Sequence, residues 1–150
     1  MRTTFDAYLQ ARGFDQDDRS AFFRRMFVTP FAQPGFHLFW RLWNPFFGYG
    51  LFAVYVALGG KRRPLLASLL VFAACGFLLH DLLVLVTTRR LSLASTGAFV
   101  IFWALSVASR ALAPRLRQAE WPRIANVALN VLCLAGGLVG GAWAAARLGI

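Results

Sequence analysis

The chain has 150 residues, of which 59% are hydrophobic, 15% aromatic and 15% charged, and its mean hydropathy is +0.58. Soluble domains carry roughly 45–50% apolar and about 25% charged residues, so this balance excludes a soluble enzyme or a disordered tail and predicts an all-α integral membrane protein. The net charge of +10 would suggest nucleic acid on a soluble domain; here the basic residues fall between apolar runs, which predicts a lipid bilayer as partner and no nucleic acid.

Residues 1–29 are the only polar stretch. Asp6, Arg12, Asp15, Asp17, Asp18 and Arg19 stand where a signal peptide needs its apolar core, and the stretch reads instead as two short helices. Thr4 or Asp6 caps the first, which ends near Gly13. Asp15 caps the second, with Asp17 and Asp18 in its first turn. Phe22, Phe23, Met26 and Phe27 beside Arg24 and Arg25 suit a helix at the lipid–water boundary, and equally one packed on the rest of the chain. Pro30, Pro34 and Gly35 then interrupt helix. Trp40 and Trp43, three apart, fall on one helical face, the spacing of an interfacial aromatic belt.

Residues 30–150 read as the transmembrane part, with about four helices at Pro45–Leu58, Leu65–Val86, Leu91–Ala108 and Ile124–Ala146. A span needs about 20 residues. The first run is short, so it starts further back at Phe36 or inserts only in part; the second is long enough, the third adequate with tilt, the fourth clear. Gly136, Gly137, Gly140 and Gly141 form two overlapping small-xxx-small patterns for close helix approach, within the chain or in a homo-oligomer or protein complex. Four spans put nine basic residues (Arg2, Arg12, Arg19, Arg24, Arg25, Arg41, Arg89, Arg90, Arg147) on one side and seven (Lys61, Arg62, Arg63, Arg110, Arg115, Arg117, Arg123) on the other. That split is too even to orient a multi-pass chain. Cys75 and Cys133 lie inside apolar runs without ligand-spaced neighbours, so they read as packing residues, with no metal expected.

The chemistry-bearing residues are the polar ones at membrane depth. His80 and Asp81 lie two-thirds along the second run, where ionisable groups are costly and functional by default; imidazole is the side chain that serves as general base near neutral pH. The alternative is a structural His–Asp pair bonded to neighbouring helices. Asn44 either donates its amide to a carbonyl or caps the helix that Pro45 begins, the arrangement favoured by spacing.

These residues carry a resemblance. Pro30-Phe31-Ala32 with Phe39-Trp40-Arg41-Leu42-Trp43-Asn44, then Tyr55 with Leu58-Gly59-Gly60-Lys61-Arg62, then Phe72 through Gly76 to His80 resemble, in order, the aromatic box, the glycine–basic turn and the histidine helix of the membrane-bound O-acyltransferase family. The bacterial polysaccharide-acylating branch is the most similar. The resemblance covers about 55 residues. It implies a bacterial inner-membrane acyltransferase module, an acyl-thioester donor as substrate, a hydroxyl acceptor and no cofactor. His80 would be the general base, Asn44 would orient the donor or oxyanion, and Trp40, Arg41, Trp43 and Asp81 would line the site. Phe47-Gly48-Tyr49 departs from the branch's usual Phe-Arg-Asp, and Asp81 stands where Gly or Glu usually follows the histidine. Two other readings stand beside it: a non-catalytic subunit of a larger membrane complex, and a haem- or pigment-binding protein with His80 or His37 as ligand.

Overall fold

The computed structural model describes residues 3–149, all of whose regular structure is helical. Two short helices, α1 (Phe5–Gln10) and α2 (Arg19–Phe27), precede a 3₁₀ turn at Thr29–Ala32 and the short α3 (Phe36–Leu42). The apolar α4 (Pro45–Ala57) follows. Next comes a long helix, Pro64–Thr88, made of α5 (Pro64–Gly76), one π-helical turn (Phe77–Asp81) and α6 (Leu82–Thr88). The chain ends in α7 (Ala94–Leu112), a 3₁₀ turn at Gln118–Glu120, and α8 (Arg123–Leu148). Pro64–Thr88, α7 and α8 are long and apolar enough to cross a membrane. The 13 residues of α4 rise about 20 Å, short of a hydrocarbon core about 30 Å thick.

The N-terminal helices are capped as polar sequence dictates, with one shift. The Thr4 hydroxyl accepts from the Ala7 N–H, and Gly13 takes the left-handed backbone that turns the chain after α1. Asp18, not Asp15, caps α2 by accepting from the Ala21 N–H, because Asp15 is engaged one turn earlier by the N–H groups of Asp17 and Asp18. Tyr8, Leu9, Phe14, Met26 and Leu42 form a buried cluster, so these helices pack on the rest of the chain. Phe23 and Phe27 stack on each other and face outward, which keeps one face of α2 apolar.

The long helices pack through small residues. In α8, a Cβ on Gly141 would run into the Ala94 carbonyl and the Ala98 backbone of α7, and one on Gly137 into the Phe102 ring. Gly140 abuts the tip of Ile101, whereas Gly136 faces open space. Three of the four glycines are therefore spent on packing against α7 inside the chain. Asn130, fully buried, donates to the carbonyls of Phe31 (2.7 Å) and Gln33 (3.0 Å), pinning the 3₁₀ turn against α8.

Candidate functional site

One cavity of about 680 Å³ lies between α1, α3 and α4 on one side and α5 and α7 on the other. Its walls follow helical periodicity. Asn44, Phe47, Gly48, Leu51, Phe52 and Tyr55 form one face of α4; Ser68, Val71, Phe72, Cys75 and Leu79 one face of α5 and its π-turn; Phe99, Trp103, Ser106 and Arg110 one face of α7. His80, Trp40, Arg41 and Trp43 complete the lining, so the cavity gathers every anticipated site residue except Asp81.

The π-turn separates His80 from Asp81. The His80 ring reaches the cavity and stacks on Phe99, centroids 5.3 Å apart. Asp81 points the other way and is 1% exposed. One oxygen accepts from the Ser95 N–H (2.9 Å), the other from the Thr96 N–H (2.8 Å) and hydroxyl (2.6 Å). Ser95 and Thr96 are in the first turn of α7, which its own preceding residue, Leu93, leaves uncapped. Asp81 is thus not a lining residue. It does an N-cap's work from a neighbouring helix, and its charge meets the positive end of the α7 dipole. Gly76 makes this approach possible, since a Cβ there would meet the Thr96 Cα at 2.7 Å.

Asn44 caps α4 and also lines the cavity. Its side-chain oxygen accepts from the Phe47 N–H at 3.4 Å, with Pro45 opening α4, and it takes a left-handed backbone conformation. The amide NH₂ remains, on a residue that lines the cavity. Trp40 and Trp43 do not form an outward belt. Trp40 is enclosed by Phe36, Phe39, Phe72, Phe99 and Phe102, and its indole N–H is buried with no partner; Trp43 stacks on Phe39. The glycine–basic turn is a helix stop: the Gly59 and Gly60 N–H groups return to the Val56 and Tyr55 carbonyls, with Gly59 left-handed, and the Tyr55 hydroxyl donates to the Gly60 carbonyl at 2.8 Å.

Several lining groups were not anticipated. Trp103 donates to Ser68 Oγ at 3.0 Å, Ser106 Oγ is buried without a partner, and Arg12 reaches in from the end of α1. The sequence signal for α7 was present, because Phe99, Trp103, Ser106 and Arg110 recur at helical spacing; Arg12 carried no such signal. His37 also lines the cavity, its Nδ1 3.3 Å from Ser109 Oγ. Burial, and secondarily Arg110, push its pKa below the ordinary 6.5. Ser109 and Phe99 are about ten residues apart on α7, roughly 15 Å of rise, so His37 and His80 cannot be paired axial ligands of one iron. Among the described residues, no three His, Cys, Asp or Glu side chains gather as metal ligands. No family model, curated protein or solved structure matches the chain.

Proposed function

We propose that the chain is a multi-pass acyl-transfer module of a bacterial inner membrane, moving an acyl group from a thioester to a hydroxyl inside this cavity. One observation carries the reading: His80, Asn44, Trp40, Arg41 and Trp43, spread over 41 positions of sequence, converge on a single apolar cavity. An imidazole nitrogen of His80 takes the proton of the acceptor hydroxyl as its oxygen attacks the thioester carbonyl. The Asn44 amide donates to the oxyanion that forms, its own oxygen being held by the Phe47 N–H. Collapse of the tetrahedral intermediate breaks the carbon–sulfur bond, and the imidazolium returns its proton to the leaving thiolate. The ester and a free thiol are the products. Phe99, stacked on the His80 ring, holds the imidazole plane.

The test is single-turnover transfer from radiolabelled acyl thioesters in native membranes. His80→Ala is expected to lower transfer by about 10²–10⁴-fold and Asn44→Ala by about 10²–10³-fold, with unchanged melting of the purified proteins. Equal transfer by wild type and His80→Ala would refute the reading. No transfer by either would leave the chain as a non-catalytic subunit, to be followed by isolation of its native complex.

A further inference from the structure

We propose that Arg12 and Arg41 form a site for the oxyanion group of an anionic amphiphile whose hydrocarbon chain enters the apolar body of the cavity. Both arginines line that cavity, and both are tied to the end of α1. Arg12 Nη1 donates to the Tyr8 carbonyl at 3.3 Å, with the guanidinium 3.5 Å over the Tyr8 ring, and Arg41 Nη2 donates to the Ala11 carbonyl at 3.2 Å. Two guanidinium groups are thereby held at the same end of α1, with the charge of Arg41 acting on Arg12. Among the described residues neither has a carboxylate within ion-pair reach, the one ion pair being Arg117–Glu120. The acidic side chains of the same region, Asp6, Asp15 and Asp17, surround a separate pocket.

Arg12 Nε is buried with no hydrogen-bond partner. Burial holds the Arg12 guanidinium below its ordinary pKa; Tyr8 opposes this and the charge of Arg41 adds to it. An oxyanion bound by the two would offset their like charge, through the forked geometry that arginine offers phosphates and carboxylates. The same cavity is lined by the apolar Leu51, Leu65, Val71, Phe72 and Leu79. An isolated anion would leave that apolar volume unfilled, whereas an acyl chain fills it; about 680 Å³ falls within the usual 300–1,000 Å³ of small-molecule sites. The site shares its cavity and Arg41 with the proposed acyl-transfer site, but occupancy needs no turnover, so binding and transfer are tested separately.

Trp40, Trp43 and Trp103 line the cavity, so occupancy is readable as fluorescence quenching by brominated chains. The full chain, in a Trp121→Phe/Trp143→Phe background, is reconstituted in phosphatidylcholine vesicles and titrated with chain-brominated phosphatidylglycerol, fatty acid or phosphatidylcholine. Saturable quenching by an anionic chain at a mole fraction at least tenfold below phosphatidylcholine is expected. The lipid and fatty-acid arms show whether the oxyanion is a phosphodiester or a carboxylate. Arg12→Gln/Arg41→Gln should lose at least tenfold in apparent affinity, Arg12→Lys/Arg41→Lys should lose less, and Arg89→Gln/Arg90→Gln, which removes the same charge elsewhere, should lose none. If the double glutamine variant fails to fold, Arg41→Gln alone should still weaken quenching severalfold. Equal quenching by anionic and zwitterionic chains, or equal losses in the Arg12/Arg41 and Arg89/Arg90 variants, would overturn the proposal. So would the absence of quenching by any anionic chain.

Discussion

His37 lies beside Ser109 at the far end of the cavity from His80, and its pKa is depressed first by burial and then by Arg110. The folded chain therefore holds fewer protons at this residue than the unfolded one as pH falls through 6.5. Its contribution to stability is fully present above that pH and is lost below it, down through the lower folded pKa. Melting in detergent between pH 8 and 5 should show this loss, and His37→Gln should flatten that part of the profile; an unchanged slope would count against it. Asp81 makes a different contribution. Replacing it by Ala removes three hydrogen bonds and a charge at the α7 N-terminus, which should cost about 2–3 kcal/mol in stability. Asp81→Asn, which keeps an acceptor but no charge, should cost less. The same carboxylate illustrates what the sequence could not disclose. An ionisable residue in an apolar run is visible in sequence, but whether it serves a cavity or a helix end depends on a single π-turn, Phe77–Asp81. That turn sent His80 and its neighbour in opposite directions.

Among the elements, α7 and α8 form the tightest pairing, and the glycines divide by what a methyl group would strike. Gly141→Ala places Cβ against α7 backbone and should destabilise by roughly 1–3 kcal/mol, while Gly136→Ala, facing open space, should be neutral. Thermal melting of the two variants checks this directly, and equal effects would argue against the packing described. The pattern itself was legible in sequence because small residues four apart share a helix face. Which of the two overlapping patterns is used was not, since that requires the partner surface of Gly97, Ala98 and Phe102. The long helices were readable to within a few residues from apolar length alone. Phe36–Leu42 and Pro45–Ala57 are two elements because Asn44 turns the chain left-handed between them, a feature that an apolar run does not advertise.

Across the whole molecule, the polar N-terminal residues and the apolar helices build the cavity together. Tyr8 docks into α4 where Gly48 leaves room; a Cβ there would lie 2.6 Å from the Tyr8 hydroxyl oxygen. Tyr49 adds a hydrogen bond from its hydroxyl to the Thr3 carbonyl at 2.9 Å. Gly48→Leu should displace α1, expose Arg12 and speed tryptic cleavage there severalfold, with the long helices intact; unchanged cleavage would show that α1 docks by other contacts. The charge and hydropathy balance of the chain sufficed to anticipate helices long and apolar enough to cross a membrane. It did not reveal that Arg12 would join Arg41, because their meeting depends on α1 folding back over a segment about thirty residues later.

The cap that Asp81 supplies to α7 also constrains how the protein is made. Helix α7 carries Ser95, Thr96, Ser106 and Ser109, and two of its leading N–H groups find their acceptor only on Asp81. A helix released into lipid alone would carry those donors unsatisfied, while the preceding helix would carry an uncompensated carboxylate. Each defect cancels the other when the two segments leave the insertion machinery side by side. The hairpin Pro64–Leu112 is therefore the expected unit of integration. In a cell-free system, Asp81→Ala should leave the first helix inserted and lower the integrated fraction of the second.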